Sequence, residues 1–86
     1  MSEIDMPAIF RHRGLTFFFY SNEGDPREPI HVHVRGRGAS AKIWIEPTIG
    51  VAGSEGFNSG QLTVIIRLVI ENRSRIRKAW HEHFGD

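Results

Sequence analysis

The chain has no cysteine. That excludes a disulfide framework, a thiolate nucleophile and a zinc site built on thiolates. It also has no long apolar run. Leu15 to Tyr20 and Val64 to Ile70 are the longest, far short of the roughly 20 residues a membrane-spanning helix needs. The opening residues Met1 to Asp5 carry no basic region followed by an apolar core, so no secretory signal is read there and the cytoplasm is the expected location. No phosphate-cradling glycine loop, no His-Glu-x-x-His spacing and no serine-nucleophile motif occurs, and there is neither an internal repeat nor a low-complexity segment. Excess charge is missing too: eleven basic and ten acidic residues leave a formal net charge of +1.

What is present reads as one small globular domain. At 86 residues with 40% apolar content, the composition argues against disorder. A chain this short buries only about 60% of the surface its unfolded form exposes. The charge is unevenly placed: Arg67, Arg73, Arg75, Arg77 and Lys78 crowd the last third, and Arg35 and Arg37 form a second basic spot. Such patches bind phosphate even when the whole chain is nearly neutral, although a charge run is most often only a solvated face.

Residues 1–5 read as a frayed extension and 6–86 as a single domain. Ala8 to His12 is a short first strand, Arg13-Gly14 a turn, and Leu15 to Tyr20 a second strand rich in β-favouring aromatics. Three consecutive phenylalanines cannot share a face, so at least one needs cover on the far side, from the helix or a partner subunit. Residues 21–29 hold the turn chemistry of a loop. Ile30 to Arg35 alternates with period two, and Gly36-Arg37-Gly38 turns it into a returning strand, Ser40 to Glu46. The simplest register sets Ile30, Val32 and Val34 against Ala41, Ile43 and Ile45, with Lys42, Trp44 and Glu46 beside His31, His33 and Arg35. Residues 47–57 read as a loop with at most a short strand over 48–52. From Asn58, which forms a capping box with Gln61, a helix runs to about Phe84, with a break near Asn72 to Ser74 as an alternative. Its apolar stripe is Leu62, Ile65, Ile66, Val69, Ile76, Trp80 and Phe84, with Arg73 in the middle. Val64 and Leu68 lie off that stripe and mark a surface for a homodimer or protein partner. The expected fold is therefore α+β: a small antiparallel sheet of four or so strands in two hairpins, covered by a long C-terminal helix.

The candidate chemistry sits on the histidine strand. His31 and His33 are proton-transfer groups, and Lys42 and Arg73 are cations able to hold an anion or stabilise developing charge. Together they form a candidate metal-independent catalytic set for a phosphodiester, with Arg35, Glu46 and Trp44 as neighbouring binding residues. A guanidinium buried at Arg73 needs a carboxylate or phosphate; Glu46, Glu23 and Asp25 are the candidate partners, unless its stem lies on the core and its head reaches water. Two rival readings stand beside this one. His31 and His33 supply two nitrogens toward a metal, with at most one of His81 and His83 able to join them. Alternatively, both imidazoles are structural and hydrogen-bond the preceding loop.

Met6-Pro7-Ala8-Ile9, Pro29-Ile30-His31-Val32-His33 and, on the helix, Arg73 followed seven residues later by Trp80 resemble the small bacterial family DUF4160, a domain of unknown function. The likeness runs from about Met6 to Phe84. It departs at Glu28-Pro29-Ile30-His31, where many members read Pro-Pro-His. The resemblance identifies no catalytic residue, and no cofactor is expected. It implies a two-gene toxin–antitoxin module in which this chain, as the toxin-like half, meets a small DUF2442-like protein and is directed at RNA. The alternative is a non-enzymatic adaptor whose histidines are structural and whose Val64 and Leu68 form an interface.

Overall fold

A computed structural model describes residues 8–20 and 28–85. The expected extension at residues 1–5, most of the loop over 21–29, and Glu23 and Asp25 lie outside the described residues. The rest is an α+β fold: strands β1 (Ala8–His12), β2 (Leu15–Phe18), β3 (His31–Gly36), β4 (Ala39–Trp44) and β5 (Gly50–Glu55), then helices α1 (Ser59–Glu71) and α2 (Arg73–Phe84). The five strands form one antiparallel sheet in chain order. The expectation of four or so strands in two hairpins meets a meander with one more strand, β5. Among the described residues, no helix is long and apolar enough to cross a membrane.

The alternation of β3 and β4 fixes which face is buried. Val32 pairs with Ile43 and Val34 with Ala41, whereas His31 pairs with Trp44 and His33 with Lys42, the register the sequence suggests. Phe17 pairs with Val34, so Phe17, Val32, Val34, Ala41 and Ile43 share the face on which Ile65, Leu68 and Val69 of α1 and Ile76 and Trp80 of α2 close the core. Phe18 pairs with His33 and therefore points the other way. It is buried without a partner subunit, because Tyr20, His33 and the Arg35 guanidinium lie against its ring.

Asn58 starts α1 with the capping box: its side-chain oxygen accepts from the Gln61 amide and the Gln61 side chain accepts from the Asn58 amide, both at 2.8 Å. Of the two helix readings, the broken one holds: α1 ends at Glu71 and α2 begins at Arg73. The Asn72 side-chain amide donates to the Leu68 carbonyl at 2.8 Å, while the Asn72 carbonyl accepts from Ile76 at 2.9 Å. One residue thus ends the first helix and begins the second. That break corrects two readings drawn from a single long stripe. Leu68 is not a spare partner surface; it is buried in the core of this chain. A stripe fitted across both helices averages two phases and pushes Leu68 off the buried arc, whose centre in α1 is Ile65, Leu68 and Val69. Arg73 is not a buried guanidinium either. It is the first residue of α2 and is exposed.

The two hairpin tips interlock. Arg13 and Arg37 both take the left-handed backbone conformation, with φ of 48° and 56°, as short hairpin turns require. A Cβ on Gly36 would lie 2.2 Å from the Gly14 carbonyl oxygen, so only glycine lets the tips meet. The Arg37 side chain then donates to the Arg13 carbonyl at 2.9 Å.

Candidate functional site

Of the sequence-predicted residues, His31, His33, Arg35, Lys42 and Trp44 share the face of β3 and β4 opposite to Val32, Val34 and Ile43, and burial divides them. His31 is fully buried. The β2–β3 ladder stops at Phe18 opposite His33, so His31 has no β2 neighbour. Trp80 fills that opening, its ring 5.4 Å from Phe19 and 5.2 Å from His31, and Trp44 lies 5.5 Å from His31 on the far side. The His31 Nδ1 makes a 2.9 Å hydrogen bond with the Pro29 carbonyl oxygen, with a Glu28 carboxylate oxygen 3.8 Å away. Since a carbonyl can only accept, Nδ1 carries the proton. An imidazole held this way has a packing role and no open path to a substrate.

His33 is half-buried on the same side. Its ring lies 4.6 Å from Tyr20, 5.6 Å from Phe18 and 5.2 Å from His31. Lys42, its cross-strand partner, donates to Glu28 at 2.9 Å and sits 4.5 Å from the centre of the Trp44 ring. Arg35 is exposed one step further along β3, its guanidinium 5.2 Å from the Phe18 ring. Small side chains on the neighbouring strands, Ser40 and Gly53, leave a shallow depression of about 330 Å³ between these groups.

The remaining candidates lie elsewhere. Arg73 stands on α2 in the helix layer and takes no part in the cluster of His31, His33, Lys42 and Glu28. Glu46, named as a partner for Arg73, instead pairs with Arg77 at 3.1 Å. Val64 is exposed on α1 and lines a cleft that includes neither His31 nor His33. His81 and His83 are exposed on α2, and His83 faces Phe19 and Phe84. Among the described residues, no three His, Asp or Glu side chains gather as a metal site would need.

A family model, described as a domain of unknown function (DUF4160), matches residues 14–81, most of the chain. The chain belongs to this family. No curated protein and no solved structure matches it. In this DUF4160 domain the Pro-x-His-x-His unit therefore splits by role: the first histidine anchors the strand to its loop, and the second stands on the accessible face. The sequence reading missed two members of that face. Tyr20 follows Phe18 by two residues, and that spacing alone puts both on the side of His33. Glu28 had no such signal, because it precedes the strand and reaches Lys42 only through the fold.

Proposed function

We propose that this DUF4160 domain is the toxin-like half of a two-gene module, partnered by a small DUF2442-like protein, and that it holds single-stranded RNA on the helix-free face of its sheet. The observation that supports the RNA part is the side-by-side placement of Tyr20, His33 and Trp44 with Arg35 and Lys42. Exposed rings on a sheet offer stacking surfaces that accept any base, each worth about 1–3 kcal/mol, and neighbouring cations take the phosphates. Glu28 then acts as a placeholder on Lys42, and a phosphate oxygen replaces it on binding. The reading is binding and not hydrolysis by a histidine pair. Acid–base cleavage asks two groups to reach the reacting oxygens, and His31 is sealed in.

Fluorescence anisotropy with a labelled 20-nucleotide RNA tests this directly. Tyr20→Ala and Lys42→Ala should each weaken binding by about tenfold, and affinity should fall with salt as phosphate contacts require. Wild-type affinity in both variants, or no saturable binding at low salt, rejects the RNA site. In cells, induction without the partner should slow growth and His33→Ala should relieve it.

A second reading, a non-enzymatic adaptor, has its own support in β5. This outer strand is exposed along nearly its whole length and holds neither lysine nor proline. Both outer pairings carry a register shift, but the opposite edge also has a helix contact: Arg75 of α2 donates to the Ile9 carbonyl of β1 at 3.3 Å. An open edge accepts a strand from another protein. Val51→Lys should abolish such pairing in co-purification while leaving RNA binding intact.

A further inference from the structure

Among the described residues, a second cleft lies away from the histidine strand. It lies between the interlocked hairpin tips and α1, has a volume of about 680 Å³, and falls within the range of pockets that hold small molecules. Its apolar floor is Leu15, Phe57, Val64 and Leu68. Leu15 and Leu68 are buried core residues, whereas Val64 is 41% exposed, an apolar side chain of α1 left open to water beside the cleft. Three arginines stand around this floor: Arg13 and Arg37 from the two tips and Arg67 from α1.

The arginines come from three separate elements and meet one carboxylate, Glu71, on the whole lining. Among the described residues, neither Arg13 nor Arg67 has a side-chain ion pair or hydrogen bond. Arg37 is already fixed by its bond to the Arg13 carbonyl, which sets its guanidinium in place before any ligand arrives. Both tip arginines also occupy backbone conformations that glycine or asparagine adopts at lower cost. Cations that line one cleft above an apolar floor attract an anion, while the floor takes the rest of the ligand.

We infer that this cleft binds a small amphipathic anion: a carboxylate or phosphate head held by Arg67 and the tip arginines, joined to an alkyl or aryl body lying on Leu15, Phe57, Val64 and Leu68. Neither charge alone nor apolar surface alone should suffice. This site is separate from the sheet face assigned to RNA and does not depend on that assignment.

The test is a titration of the whole chain, followed by amide NMR shifts, with octyl phosphate and octanoate as probes and inorganic phosphate and 1-octanol as controls. At least one probe should bind saturably, with shifts centred on Leu15, Val64 and Arg67, about tenfold or more tighter than either control. Arg67→Ala should weaken that probe by about tenfold, because a charge-assisted contact is lost. Val64→Glu should weaken it at least as much. Both positions are exposed on α1, and unchanged β3 and β4 signals verify that the variants are folded. Equal affinity for probes and controls, shifts confined to other parts of the molecule, or no effect of either variant overturns the inference. So does an acidic leucine-containing peptide that occupies the cleft when neither probe does, since the occupant is then a protein segment.

Discussion

His31 and His33 are two residues apart and share a strand, yet the fold gives them different work. The first is enclosed by Trp44 and Trp80 and tied to the Pro29 carbonyl; the second is half-open beside Tyr20. His31→Ala removes a filled volume and strands a carbonyl, so urea denaturation should show a loss of about 3 kcal/mol. His33→Ala, at a half-exposed position, should cost about 1 kcal/mol or less. Near-equal losses would mean that the two imidazoles are not divided in this way. The alternation of the strand was enough to put both rings in one row and to place Lys42 across from His33. It could not reveal the burial of His31, because the ring that seals it belongs to Trp80, 49 positions further along the chain. Arg73 was misplaced for a related reason: helical spacing says which side of a cylinder a residue occupies and nothing of where the cylinder starts.

Among the elements, strands and caps were the most legible. The paired strands β3 and β4 follow from period-two alternation, and the capping box at Asn58 follows from two residues at the right spacing. Asn58→Ala should lower stability by about 1 kcal/mol, since it leaves a helical amide without its acceptor. The strand β5 was nearly invisible, because Gly50–Glu55 has small residues and one valine where strands usually show branched or aromatic ones. Pairing with β4 makes it a strand, and that is a tertiary cause. The contact between the hairpin tips was hidden as well, although its ingredients, Arg13-Gly14 and Gly36-Arg37-Gly38, were in view. Gly36→Ala forces a methyl into the Gly14 carbonyl and should destabilise the fold by about 3 kcal/mol. Arg13→Gly, by contrast, should raise stability by roughly 1 kcal/mol, because glycine takes the left-handed conformation without strain. Thermal melts of the two variants should move in opposite directions.

The whole molecule has one core, shared between sheet and helices through Phe17, Val32, Ile43, Ile65, Val69, Ile76 and Trp80. A sheet and a helix pair that bury the same side chains cannot come apart singly. Unfolding should therefore be one cooperative transition. Its two tryptophans provide the check: Trp80 reports the helix layer and Trp44 the sheet face. Single-tryptophan variants made by Trp44→Phe and Trp80→Phe should give the same fluorescence midpoint as circular dichroism within each variant. Separate midpoints would show that the layers hold independently. At this scale the order of strand and helix patterns along the chain foretold the α+β class, but which surfaces stay open depended on the break at Asn72 and on the contact of Arg75 with β1.

The meeting of Gly14 and Gly36 also bears on the domain as a scaffold for engineering. Randomised loops are ordinarily grafted one at a time, on the premise that neighbouring loops are independent. Here a residue inserted into either turn would pry its neighbour out of position, so a library at one tip samples mostly misfolded clones. The two turns behave as a single graft site and would have to be diversified jointly.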